Sequence, residues 1–218
     1  MKRYGCSNVR DRKAFTLLEL FILVAGVAIL SAIFLPALQR PHATCQRINC
    51  TNNLKQIGLA SKTWALDNSD RFPMSVPVNE GGTMELVAGS STFAAFAVMS
   101  NELSTPKILI CPEDRKRHWA TNFESDLNNS KLSYFVGLDA GPTNLTMLLS
   151  GDRNLTNNFG PLRGHPVIRP GDSVGWTHEV HHSAGNLLMV DGSVQQLTTS
   201  TLRTTLRSLG ATNRLAMP

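Results

Sequence analysis

The sequence predicts an α+β fold in which a long N-terminal helix, transmembrane in its first half, packs on a small antiparallel sheet. Two observations favour it: residues 15–35 form an apolar run with a single charged side chain, and the clearest strand patterns lie in the second half of the chain. The 218 residues leave room for this segment and one ordinary domain, since single domains usually span about 100–150 residues.

The positive charge is concentrated ahead of the apolar run. The formal net charge is +5, and residues 1–14 contain most of it: Lys2, Arg3, Arg10, Arg12 and Lys13 against Asp11. The remainder is nearly balanced and lacks the basic patch that nucleic-acid binding requires, so we expect no nucleic-acid partner.

A helix over the apolar run spans about 30 Å, the thickness of a bilayer core. The positive-inside rule then predicts a single-pass protein of the cytoplasmic (inner) membrane, with its N-terminus cytoplasmic and its domain facing the periplasm or exterior. A cleaved secretory signal is disfavoured because the run is too long and no Ala-x-Ala site follows it. A plain anchor leaves Glu19 unexplained, since a carboxylate inside an apolar membrane segment is costly and is a functional candidate.

The stretch at 12–20 (RKAFTLLEL) resembles the processing motif of type IV pilins and type II secretion pseudopilins. The resemblance implies a pilin-like fold and cleavage by a prepilin peptidase between Ala14 and Phe15, followed by N-terminal methylation. Glu19 would be the fifth residue of the processed chain and would pair with the amine of a neighbouring subunit, because each buried charge needs a partner. Ala14 replaces the glycine usual in the family but is also small.

The chain is expected to have four segments. The resemblance implies a leader at 1–14, a transmembrane helix at 15–36 and an exported α+β domain at 70–218, and the helical spacing of Leu54, Ile57 and Trp64 predicts an amphipathic continuation of the helix at 37–69. The implied partners are the prepilin peptidase, like subunits or other pseudopilins along the N-terminal helix, a secretion or pilus assembly platform, and the membrane. We expect no enzyme, because no spacing of nucleophile and base indicates a catalytic triad and no phosphate-binding loop is present.

The segments 50–58 (CTNNLKQIG) and 111–114 (CPED) resemble pseudopilin-like proteins of planctomycete and verrucomicrobial bacteria. Their C-terminal signature, a histidine, nine residues and then Asp-Gly, stands here as His181 and Asp191-Gly192. The resemblance supplies no role for this signature.

Local patterns place the remaining elements. The first helix should end near Asn68, where turn residues begin. Asp191-Gly192 predicts a hairpin with a two-residue type I′ turn. The other predictions are helices at 91–103 and 200–209, and strands at 107–111, 132–138, 144–150, 185–190 and 193–197.

Three cysteines follow the apolar run: Cys45, Cys50 and Cys111. Cys45 and Cys50 lie five positions apart on a predicted helix and point in different directions, which favours a Cys50–Cys111 disulfide in an oxidising compartment. The alternative is that all three cysteines are reduced.

Two sets of polar residues are candidate metal ligands. The densest consists of His178, Glu179, His181 and His182, whose spacing is not that of a zinc protease. We favour a structural role, with His181 holding the loop before the hairpin by hydrogen bonds. Weak calcium candidates stand near predicted strand ends: Asp139, Asp152 and Asp191. Turn formation alone also explains these aspartates, and no other cofactor is expected.

Two functions from different classes remain open. The first is a pseudopilin-like structural subunit that assembles into a type II secretion pseudopilus or a type IV pilus-like fibre. The second is a non-polymerising, membrane-tethered extracytoplasmic binding module for a ligand or metal.

Overall fold

The structure, a computed structural model, describes residues 16–218, with side chains described for 16–32 and 46–218. The chain divides into two compact units, with the boundary between His42 and Ala43. The predicted scissile residues Ala14 and Phe15 lie outside the described residues.

Thr16 caps the N-terminus of helix α1 (Leu17–Asp67), because its Oγ1 accepts a hydrogen bond from the Glu19 N–H at 3.3 Å. In the first unit its apolar side chains are exposed, Leu17 by 86% and Phe21 by 69%. In the second unit one face of α1 is buried in the core. The helix ends within a residue of the predicted end.

Across the residues whose side chains are described, no helix combines the length and the apolar character that a membrane crossing needs. The apolar part of α1 with described side chains, 17–32, is about 24 Å long, whereas the hydrocarbon core of a bilayer is about 30 Å thick. This finding contradicts the predicted transmembrane half of the helix. It also contradicts the single-pass placement in the cytoplasmic (inner) membrane with the domain facing the periplasm or exterior.

The second unit contains two antiparallel sheets. The larger is curled, with strand order β5-β9-β1-β2-β7-β8. Its strands are β1 (Tyr134–Gly137), β2 (Leu148–Asp152), β5 (Val167–Ile168), β7 (Ala184–Met189), β8 (Val194–Thr198) and β9 (Asn213–Ala216). The smaller has the order β4-β3-β6 and consists of β3 (Leu155–Asn157), β4 (Gly160–Pro161) and β6 (Gly175–Trp176).

The predicted fold class, a half-transmembrane helix on a small pilin-like sheet, is therefore wrong. Six strands form the main sheet and three form another. The sequence gives little sign of the missing strands because β3 to β6 have only two or three residues each. Such short segments show no measurable alternation of polar and apolar side chains.

Both faces of the main sheet are covered. Alternate residues of a strand point to opposite faces, so Tyr134 and Val136 join the cluster that contains Leu54 and Ile57 of α1, while Phe135 joins the other. Helix α5 (Thr199–Leu209) covers the second face, and Gly210 in a left-handed conformation ends it as predicted.

Several local predictions are wrong. The predicted helix at 91–103 is two short helices, α3 (Phe93–Ala97) and α4 (Ser100–Leu103), which follow α2 (Met84–Ala88). The predicted strand at 107–111 overlaps a 3-10 helix, Pro106–Leu109, because Pro106 starts a helical turn that Thr105 caps. The predicted strand at 144–150 begins only at Leu148.

The β7–β8 hairpin has a different turn from the one expected. Gly192 has a φ of 92°, whereas Asp191 is not among the residues with positive φ, which excludes type I′. The Gly192 N–H donates to the Met189 carbonyl at 3.0 Å, and the Met189 N–H donates to the Ser193 carbonyl at 2.9 Å. Gly192 therefore forms a β-bulge after a turn in which Asp191 does not have positive φ.

Candidate functional site

A cluster of buried polar side chains surrounds His181 in the turn before β7. Three consecutive residues there, His181, His182 and Ser183, have positive φ values of 54°, 51° and 65°. Non-glycine residues in this region cost about 1–3 kcal/mol each, and such strain persists where surrounding contacts impose it, often at functional sites. The His181 side chain is 0% exposed.

Both ring nitrogens of His181 have polar neighbours. Nδ1 lies 2.7 Å from Glu113 Oε2 but is a buried atom without a hydrogen-bond partner, while the backbone N–H of His181 donates to the same oxygen at 3.0 Å. Nε2 lies 3.2 Å from Asn186 Nδ2 and 3.3 Å from Cys111 Sγ. Burial lowers the pKa of His181. A neutral ring with its proton on Nδ1 fits this arrangement, because Asn186 then donates to the Nε2 lone pair.

Asp152, at the end of β2, lies beside the ring. Its Oδ2 accepts the backbone N–H of Asn186 at 2.7 Å and the Asn186 side chain at 2.8 Å, and lies 3.5 Å from His181 Nε2. Its Oδ1 is buried and has no hydrogen-bond partner. Burial raises the pKa of Asp152 to about 7.

The disulfide between Cys50 and Cys111 joins α1 to the segment before Glu113, with a Cα–Cα distance of 5.1 Å. Both cysteines are buried. Their sulfur atoms and a His181 ring nitrogen lie within 4.8 Å of one another. Within residues 16–32 and 46–218, this is the one group of three histidine, cysteine or acidic side chains placed to hold a metal ion.

Ion pairs hold the two segments that carry Glu113 and His181. The Arg153 guanidinium binds buried Asp114 through two hydrogen bonds, of 2.7 Å from Nε and 2.8 Å from a terminal nitrogen. Its other terminal nitrogen lies 3.3 Å from Glu179, which also accepts a hydrogen bond from Lys116 at 2.5 Å. Asp114 and the turn at 178–183 are thereby bound to the end of β2.

Asn154 fixes the backbone of the turn itself. Its side-chain amide lies within hydrogen-bonding distance of three carbonyls, those of Thr177 (3.1 Å), Val180 (3.0 Å) and Ala184 (3.1 Å). Because these carbonyls bracket the left-handed residues, the contact helps impose their conformation.

The other half of the histidine signature lies at the opposite end of β7. Lys62 of α1 donates a hydrogen bond to the Asp191 carbonyl at 2.5 Å, while the Asp191 carboxylate accepts the Ser193 N–H at 2.7 Å. A Cβ at Gly192 would stand 2.9 Å from Lys62 Nζ. The Asp-Gly pair therefore lies against α1.

The other candidate ligands do not form a shared site in the part of the chain that the structure describes. The Asp139 carboxylate accepts hydrogen bonds from the backbone N–H and the guanidinium of Arg214, Asp152 lies beside His181, and the Asp191 carboxylate accepts from the Ser193 N–H. These aspartates do not come together as calcium ligands within the described residues. His178 and His182 pack edge to face with ring centroids 5.2 Å apart, in a turn and not a helix.

Sequence reasoning found His181, Cys50 and Cys111 but missed the roles of Glu113, Asn154 and Asn186. Glu113 lies in the quoted CPED segment, which was the one available signal. The two asparagines had none, because a single polar residue in or near a strand does not reveal its tertiary contacts.

No family model, curated protein or solved structure matches the chain. The resemblance to pilins and pseudopilins therefore stays a prediction. Its basis is the motif at 12–20 and the signature of His181 with Asp191-Gly192.

Proposed function

We propose that this protein is a pseudopilin-like structural subunit that is cleaved before Phe15 and assembles with like subunits through α1. The observation that carries the proposal is the exposed apolar surface at the start of α1, which includes Leu17, Leu18 and Phe21. Contiguous apolar surface of this kind marks an interaction site. The same segment of a second copy is an occupant of matching chemistry.

Two features of the described chain support this proposal. Glu19 lies in the first turn of α1, where its charge also stabilises the positive end of the helix dipole. The buried Cys50–Cys111 disulfide is typical of proteins that fold in oxidising compartments, as pilus and pseudopilus subunits do.

Processing is tested by mass spectrometry of the mature N-terminus in protein isolated from its host. We expect a chain that begins at Phe15 and carries a methylated amine. An intact Met1, or cleavage at any other bond, contradicts the proposal.

Assembly is tested by cross-linking in the host with variants of Glu19. We expect Glu19→Gln to reduce the yield of multimers, because the amide keeps much of the helix-capping capacity of glutamate but cannot neutralise the amine of a neighbour. The matched control is Glu124→Gln, an exposed position in the second unit. Equal multimer yields in Glu19→Gln and wild type would reject assembly by this pairing.

A cavity of about 320 Å³ in the second unit favours the binding-module alternative. It is lined by Arg117 and Arg163, by the Arg153–Glu179 ion pair, and by Asn154 and Thr177, whose buried side-chain oxygens lack hydrogen-bond partners. These groups suit a small ligand with an anionic group and a hydrogen-bond donor.

Citrate is a suitable probe of this cavity, because a ligand that binds only the folded state raises the thermal unfolding temperature. We expect the increase to exceed that caused by chloride at equal ionic strength, and to shrink in Arg163→Gln. Equal effects of citrate and chloride would count against a binding module of this kind.

A further inference from the structure

The environment of His181 matches that of a metal-binding histidine. Metal-binding histidines almost always donate the N–H of one ring nitrogen to a carboxylate or carbonyl, which fixes the tautomer and directs the other nitrogen to the metal. Here Glu113 lies 2.7 Å from Nδ1, and Nε2 faces Cys111 Sγ at 3.3 Å. The nitrogen that would bind a metal therefore points at the disulfide.

The distances suit zinc once the sulfur–sulfur bond is absent. Zinc holds cysteine sulfur at about 2.3 Å and histidine nitrogen at about 2.0–2.1 Å in tetrahedral sites, so neighbouring ligand atoms lie about 3.3–3.8 Å apart. His181 Nε2 already lies 3.3 Å from Cys111 Sγ, and the three ligand atoms lie within 4.8 Å of one another. The Cys50 and Cys111 sulfurs, released from their bond, need only separate to about 3.8 Å, the upper end of this range.

We propose that the reduced protein binds one zinc ion through Cys50, Cys111 and His181, at the place where the oxidised protein has its disulfide. A dithiol supplies two electrons: the sulfur–sulfur bond breaks to give two cysteine thiols, and the dithiol becomes a disulfide. Zinc then displaces the two thiol protons. The site thus alternates between two cross-links of α1 to the same segment.

Charge and hydrogen bonding also suit the ion. Asp152 lies beside these ligands, with Oδ2 3.5 Å from His181 Nε2 and with a buried Oδ1 that has no hydrogen-bond partner, so its carboxyl group favours a cation nearby. Two thiolates and a neutral imidazole balance the charge of Zn²⁺. Asn186 gives up its contact with Nε2 but keeps Asp152 Oδ2.

The test uses the full chain, treated with a phosphine reductant and equilibrated with ZnCl₂, with bound metal measured after gel filtration. We expect about one equivalent of zinc in the reduced protein and none in the oxidised protein. With cobalt(II) in place of zinc, a sulfur-to-cobalt charge-transfer band and tetrahedral d–d bands should appear. Circular dichroism reports whether each sample is folded.

Matched variants separate this site from adventitious binding. His181→Ala should lose the metal, whereas His182→Ala, an exposed histidine in the same turn, should keep it. Glu113→Gln should bind at least about tenfold more weakly, because it alters the partner of the ligand and not the ligand itself. Equal zinc uptake by His181→Ala and wild type overturns the proposal. So does the absence of zinc uptake by reduced wild type, whether that protein stays folded or cannot refold with zinc.

Discussion

Removal of the Cys50–Cys111 disulfide should lower the free energy of unfolding by about 4 kcal/mol. The two cysteines are separated by 61 positions. In the loop-closure model, a cross-link over a loop of that length lowers the entropy of the unfolded chain and so raises its free energy by about 4 kcal/mol. Total stabilities of about 5–15 kcal/mol are usual, so the loss is large. The perturbation is the double variant Cys50→Ala, Cys111→Ala.

Urea unfolding of the full chain, followed by tryptophan fluorescence, provides the measurement. Because the effect lies mainly in the unfolded state, the dependence of the unfolding free energy on urea should become steeper, as the uncrosslinked chain exposes more surface. Cys45→Ala, at a cysteine outside this disulfide, is the control. A loss below about 1 kcal/mol with an unchanged slope would refute the loop-closure reasoning.

The remaining predictions concern the charges around His181. Arg153→Gln should cost about 3–5 kcal/mol in chemical denaturation because it leaves buried Asp114 unpaired, whereas Lys116→Gln, which breaks an exposed pair with Glu179, should cost below about 1 kcal/mol. Equal losses would contradict this ranking. The raised pKa of Asp152, about 7 against about 4 when unfolded, stabilises the fold below about pH 4, and this contribution is lost as the pH rises toward 7. The stability difference between wild type and Asp152→Asn should therefore fall over that window, and a difference independent of pH would contradict the assignment.

Elements with a strong local pattern could be predicted from the sequence. The apolar spacing of Leu54, Ile57 and Trp64 places the second half of α1, and these residues are buried as a helix face. The main strands of the β7–β8 hairpin and helix α5 also lie close to their predicted positions. In each case the residue pattern that predicts the element lies within a few helical turns or one pair of strands.

The parts that could not be predicted depend on contacts between distant residues. Strand β9 pairs with β1 through Val136 and Ala216, which are far apart in the chain, and the four residues of β9 are too few to show a pattern by themselves. Likewise, Asn186 becomes part of the site because the register of β2 with β7 places it beside Asp152. Its own sequence neighbours carry no sign of that contact.

The structure suggests why the histidine and the Asp-Gly pair of the signature are separated as they are. His181 precedes β7 and contacts Cys111, which is bonded to Cys50 of α1, while Asp191 follows β7 and accepts a hydrogen bond from Lys62. The distance along α1 from Cys50 to Lys62 is about 18 Å. The six residues of β7 span about 20 Å. One strand therefore reaches two points on the helix, and a residue inserted in β7 would break one contact.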